Sequence, residues 1–398
     1  MRAQCLFDWK SNQPDNWILK LEHFTNNNSI VASTSNGSIV SYSLDTPSPT
    51  PLFQISKAHE STINHLTKLD ENTIATCSTD GIKLWDLRTQ KSIIQLTNTK
   101  NSNFLSLGYN PQNNLLAGGT ELVGIDAELH IWDIRNPQEV VRSFIDSHHD
   151  DITTIEFHPT INHYLMSGST DGYVNIYDLN QPDEDEALHQ VINYASVHSC
   201  HFITPTRISI LSHMESLMFH DLHDTNYEEL IEPNFKDLED TRTLWPDNEY
   251  VVDLFPSRGY VGFGANSQRK LTLLPFNPTK ESFDASRPIW FPDAHGEEVV
   301  RDLYVVPNSK KAVTCGEDRY IRLWELPYEL ESFDISAGAS SEIQEVDMDS
   351  DEPEKKKKKK SKKDKKDKKD KKDKKDKKDK KDKHKSKKKK SDVRFKPY

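Results

Sequence analysis

The chain has 398 residues, 34% hydrophobic and 29% charged, with a formal net charge of −11, enough for one large domain and a tail. No apolar run approaches the roughly 18 residues that a membrane span requires, and the opening stretch, with Arg2, Gln4 and Asp8, turns polar too early for a secretory signal. The cysteines Cys5, Cys77, Cys200 and Cys315 form no Cys-x-x-Cys pair, which argues for reduced thiols and against a disulfide frame or a zinc site.

In chain order, residues 3–9 are a strand candidate ahead of any repeat. Residues 17–24, 30–33 and 38–44 follow as strands, with Asn36-Gly37 as a hairpin turn. A frame then begins at His59 and runs through Thr76, Asp80-Gly81 and Trp85-Asp86. Its closing half recurs as Leu129-His130-Ile131-Trp132-Asp133, after an insert at 119–127 and with no opening His. The whole frame returns from His148 through Ser167, Asp171-Gly172 and Tyr177-Asp178, and again from His295 through Thr314, Asp318 and Trp324-Glu325. Two degenerate sets lie between: strands at 196–202, 207–211 and 216–219, then at 250–254, 260–264 and 270–274. Pro275 is expected to end the last of these, because it has no N–H to give to a ladder.

Spacing supplies the number of units. The 89 residues from His59 to His148 hold two, and the 147 from His148 to His295 hold three with longer loops. One more precedes His59 and one begins at His295, which makes seven at about 40–45 residues each. The frame resembles the WD40 repeat, each copy of which is one blade of a β-propeller. That resemblance implies an all-β, seven-bladed WD40 β-propeller over residues 1–335, closed by residues 3–9 joining the last blade so that only short sheet edges remain.

The resemblance also implies a hydrogen-bonded tetrad in each complete blade: His59, Thr76, Asp80 and Trp85; His148, Ser167, Asp171 and Tyr177; His295, Thr314, Asp318 and Trp324. Tyr replaces Trp in the second set, and the first has a turn one residue shorter. A buried Asp needs its lone pairs filled, and such a network fixes one arrangement, so these residues are structural. His148-His149-Asp150-Asp151 looks superficially like a metal cluster. His148, however, stands four residues before Ile152, as His59 stands before Ile63 and His295 before Val299, so the repeat accounts for it. There is no nucleophile motif and no Gly-rich phosphate loop; no catalytic residue, cofactor, metal or small-molecule substrate is expected.

The loops entering the first strands carry Asp15, Glu60, Asp150, Asp151, Asp247, Glu249, Glu297 and Glu298. In a propeller they converge on one rim, where clustered acids would draw cationic partners; the same acids would also serve plain solubility. Beyond the propeller, residues 336–354 read as a disordered acidic, Ser-rich linker. Residues 355–398 hold 28 Lys and Arg against 8 Asp, a net of +20, and residues 1–354 carry a net of −31. This tail reads as a disordered segment with three open roles: a nuclear address through Lys355, Lys356, Lys357, Lys358, Lys359, Lys360 and Lys387, Lys388, Lys389, Lys390; a clamp on RNA or DNA phosphates; or a lid over the acidic rim.

Segments 119–135, 149–159 and 167–178 further resemble the family of WD repeat-containing protein 89 and its fungal relatives. That likeness implies a non-enzymatic nuclear protein. The Lys-Lys-Asp tail lies outside the pattern and is similar in style to tails of fungal nucleolar proteins. Three functions follow as expectations: a nuclear scaffold or adaptor binding other proteins on the propeller face; an escort of basic cargo, such as a ribosomal protein or histone; or a ribosome-assembly factor contacting RNA through its tail. A monomer working within larger complexes is expected, without membrane contact, in the nucleus or nucleolus.

Overall fold

The computed structural model of the chain describes residues 1–223 and 232–337. All of them belong to the first of two units, Met1–Gln344 and Glu345–Tyr398. The expected linker from 338 onward and the whole Lys-rich tail lie outside the described residues.

The described chain is a seven-bladed β-propeller, seven antiparallel sheets taken in sequence order. Each blade starts on its innermost strand: Ile18–Phe24, His65–Lys68, Phe104–Asn110, Ile152–Phe157, Val197–Thr204, Tyr250–Phe255 and Val300–Val305. Apolar alternation on these strands suits a sheet packed between two others. Seven apolar clusters result, one at each seam between neighbouring blades. The Cys77, Cys200 and Cys315 side chains are buried in three of them. The hydrophobic effect therefore acts around a ring and not on one central core.

Closure is made by Gln4–Lys10, which pairs antiparallel with Tyr320–Glu325 as the outer strand of blade 7. Before it, Ala3 N donates to Trp290 O (2.8 Å) and Trp290 N to Met1 O (2.8 Å), which ties the N-terminus to blade 6 as well. The ends of the propeller thus meet, and the edges that an open sheet would expose are paired.

The expected stop at Pro275 does not occur: the strand runs Lys270–Asn277, straight through it. Phe276 N–H points inward, donating to Gly259 O, so the missing donor of Pro275 points outward. There the outer partner changes, from Ile289 opposite Leu273 to Phe283 opposite Phe276. The proline occupies the gap, where no ladder bond is required.

Candidate interaction rim

The structure brings the predicted tetrads together. In blade 2, His59 Nδ1 lies 2.5 Å from Asp80 Oδ1 and His59 Nε2 lies 2.7 Å from Thr76 Oγ1. Trp85 Nε1 donates to the same hydroxyl at 2.9 Å. Blade 7 repeats this with His295 to Asp318 at 2.7 Å, His295 to Thr314 at 2.8 Å and Trp324 to Thr314 at 2.9 Å. In blade 4, His148 meets Asp171 at 2.9 Å and Ser167 at 2.7 Å, but Ser167 and the Tyr177 hydroxyl are 3.4 Å apart. Tyr therefore closes the last link only weakly. The residue after the turn Asp has positive φ in all three blades, Gly81 at +102°, Gly172 at +89° and Arg319 at +74°.

Burial holds His59 and His295 below the ordinary imidazole range. A neutral ring then donates from Nδ1 to the carboxylate and accepts the Thr hydroxyl at Nε2. Burial alone would raise Asp80, but hydrogen bonds from Lys83 and His59 outweigh it and hold the carboxyl below its usual range. These distances match those of a hydroxyl–His–Asp catalytic triad. Thr76 and Thr314 are fully buried between sheets, however, where no substrate carbonyl could reach the hydroxyl.

Blade 3 has a network that the sequence reading missed. Glu128 Oε2 lies 2.8 Å from His130 Nε2 and accepts from Asn98 Nδ2 at 2.9 Å, while Lys100 pairs with Glu128 Oε1 at 2.8 Å. Its signal is His130, two residues before Trp132, where the regular frame has Lys83 or Arg322.

All eight predicted acids lie at the end of the ring where the innermost strands begin, but they differ in what they hold. Asp150 accepts from Asp151 N within its own loop, and Asp151 accepts from Leu122 N, tying that loop to one of blade 3. Asp247 pairs with Lys270 at 2.7 Å and also accepts from Gln268. Glu249 accepts from Ser267. Asp15, Glu60, Glu297 and Glu298 are exposed, and their carboxylates make no hydrogen bond or ion pair among the described residues. These four come from blades 1, 2 and 7, which are consecutive around the ring. Trp17, 41% exposed, sits on the same arc with the Arg301 guanidinium 5.7 Å from its ring. His149, the other member of the metal-like run, faces Asp126 at 3.1 Å, and among the described residues no three His, Cys, Asp or Glu are grouped to hold a metal ion.

The axis of the ring holds a cavity of about 630 Å³ lined from all seven innermost strands. It is polar because alternate residues of those strands face it. Burial pushes Glu22 up to about 7 and His65 down to about 3. His201 goes the other way: burial would lower it, but Asp253 and Glu156 outweigh that and raise it to about 10. Ile335 also lines this cavity, for the chain beyond the last strand crosses blade 6, with Phe333 N donating to Ser257 O at 2.7 Å.

Comparison with known proteins agrees with this architecture. The family "WD domain, G-beta repeat" matches residues 138–178 and 286–325. An uncharacterized WD repeat-containing protein of Saccharomyces cerevisiae is 42% identical over 331 residues, 82% of each chain. A WD repeat-containing protein 89 homolog of Dictyostelium discoideum is 31% identical over 145 residues, 36% of this chain and 37% of that one. A ribosome biogenesis protein WDR12 homolog of Oryza sativa subsp. japonica is 30% identical over 123 residues, 30% of this chain and 27% of that one. Propellers of this kind are generally non-enzymatic scaffolds for protein interaction. Seven closed blades, the matched repeats and an alignment spanning most of both chains make this chain a member of the WD-repeat family.

Proposed function

We propose that this protein is a nuclear scaffold or adaptor that holds a basic segment of a partner protein on the rim formed by blades 7, 1 and 2. The observation that carries the reading is the set of unpaired, exposed carboxylates of Asp15, Glu60, Glu297 and Glu298 on one arc. Carboxylates already paired within the fold have little to offer a ligand; these four do, and their summed field draws cations. Trp17 adds exposed aromatic surface on the same arc, with the Arg301 guanidinium already over its ring. The cargo suited to this surface is a Lys/Arg-rich extension, such as that of a ribosomal protein or histone. Titrating a Lys/Arg-rich peptide and its Glu/Asp-rich counterpart against the full chain at low and high salt tests it. Binding of the basic peptide alone, weakening with salt, is expected; equal or absent binding of both overturns it.

A second reading is favoured by the likeness to a ribosome biogenesis protein homolog and by the net charge of +20 on residues 355–398. A Lys-rich segment binds RNA phosphates without sequence choice and with steep salt dependence. Purification from cells with and without nuclease separates the two readings: partners retained after nuclease belong to the rim, and partners lost belong to the tail. Nuclear address is the tail's other role, and removal of 355–390 should leave a tagged protein in the cytosol.

A further inference from the structure

We propose that the loop Thr46-Pro47-Ser48-Pro49-Thr50-Pro51 in blade 1 is an acceptor site for a proline-directed Ser/Thr protein kinase, and that phosphate there loosens the seam at which the ring closes. The chain has four Ser/Thr-Pro pairs, and three of them are packed into these six residues. The loop joins Ile39–Ser43 to Phe53–Ile55, and residues 45–50 are all exposed. A residue before proline is held extended, the conformation in which a substrate segment can lie along an enzyme cleft. Three of the six residues have no N–H. Beyond local turns, and among the described residues, one bond fixes the segment: Trp9 Nε1 donates to Ser48 O at 2.7 Å. An acceptor hydroxyl can therefore be reached without unfolding a strand.

Trp9 belongs to the closing strand Gln4–Lys10 and stacks on Tyr42 of blade 1 with ring centres 4.9 Å apart. Its bond to Ser48 thus crosses the seam between the first and last blades. In the transfer, a Ser48 or Thr hydroxyl oxygen attacks the γ-phosphorus of Mg²⁺-bound ATP. The bond to the β-phosphate oxygen breaks, ADP leaves, and the hydroxyl proton passes to the kinase's base. The product carries about −1.5 to −2 charges. Asp45 stands beside the segment and Asp8 across the crevice that Pro49 and Pro51 line. The nearby cations are already engaged: Lys311 holds Leu44 O at 2.8 Å, and Lys10 lies over Tyr320. Repulsion and the phosphate's demand for water draw Ser48 away from the indole.

The fourth pair is an internal control. Thr204 ends a strand, and the carbonyl of Pro205 is held by His158 Nε2 at 2.8 Å. The test treats the full chain with Mg·ATP and a purified proline-directed kinase, maps phosphate by tandem mass spectrometry, and follows hydrogen exchange. Phosphate within 46–50, none on Thr204, and exchange in residues 4–10 faster by up to about tenfold, equivalent to one lost hydrogen bond, are expected. The combined variant Thr46→Ala, Ser48→Ala and Thr50→Ala should take none and keep slow exchange. No phosphate in the loop, or as much on Thr204, overturns the site; phosphate with unchanged exchange overturns the loosening.

Discussion

His201 Nε2 of blade 5 lies 3.2 Å from Asp253 Oδ1 of blade 6, and its other nitrogen lies 2.9 Å from Glu156 Oε2 of blade 4. One ring thus joins three blades around the axial cavity. Two carboxylates hold it protonated, raised from 6.5 to about 10. Because the folded value is the higher one, the stabilisation is complete below about pH 6.5 and is lost as pH rises through the folded value near 10. Thermal unfolding should therefore occur at lower temperature at pH 10 than at pH 6.5, and His201→Gln should shrink that difference. At pH 6.5 the variant should cost about 2 kcal/mol, because it leaves two facing carboxylates without their shared cation while a quarter of the ring surface reaches water. A midpoint difference unchanged by the variant would place the pH dependence elsewhere.

The tetrads give a graded prediction. Thr76 Oγ1 accepts from Trp85 and binds His59, so Thr76→Val strands two buried groups and should cost about 2–6 kcal/mol at about 1–3 each. Tyr177→Phe removes long contacts of 3.3–3.4 Å to Asn175 and Ser167 and an interaction with Ser147, and should cost about 1 kcal/mol or less. Urea unfolding midpoints at constant slope measure both. Equal losses would mean that the geometry of the two blades has no energetic counterpart.

The contrast explains what could be read in advance. Blades 2, 4 and 7 announce themselves because their tetrads fix residue type at fixed spacing, and consecutive positions such as Ile74 and Ala75, which face opposite seams, must both be apolar. Blades 5 and 6 lack that tetrad and show only short alternation. Glu128 and His130 form a pair that the regular frame does not contain. The axial partners were hidden for a different reason: His201 meets Glu156 45 residues away and Asp253 52 residues away, and strand alternation says which residues face the axis, not which of them meet. On the rim, sequence placed the acids at one end but could not foresee that Lys270 and Ser267 would occupy two of them. Pro275 was misread because a missing donor matters only on a side that has a partner strand.

Two glycines separate backbone strain from crowding. Gly172 has φ +89° and no atom within 3.7 Å of an added Cβ, whereas Gly259 has φ +70° and would place that Cβ 2.3 Å from Glu331 O and 2.8 Å from the Phe333 ring. Gly172→Ala should cost only the left-handed penalty of about 1 kcal/mol. Gly259→Ala should pay that and also lift residues 331–333 from blade 6, since backbone cannot move aside as a flexible side chain can. Limited proteolysis distinguishes them: cleavage within 326–337 should quicken for Gly259→Ala alone. Similar cleavage of both variants would show that this segment does not depend on the glycine.

The rim reading predicts different consequences for acids that look alike in sequence. Glu60, Glu297 and Glu298 carry no partner, so Glu60→Gln, Glu297→Gln and Glu298→Gln together should leave the unfolding midpoint unchanged. The same change should weaken a Lys/Arg-rich peptide about tenfold at low salt, at about 0.5 kcal/mol per exposed charge, and much less when salt screens the rim. Asp247 is already paired with Lys270 at 2.7 Å. Asp247→Asn should therefore lower the midpoint slightly and leave peptide affinity as it was. Fluorescence anisotropy at two ionic strengths, with thermal unfolding of the same samples, gives both numbers for each variant. If Asp247→Asn reduces affinity as much as the triple change does, the contact is with the face as a whole, and the arc of blades 7, 1 and 2 has no special part in it.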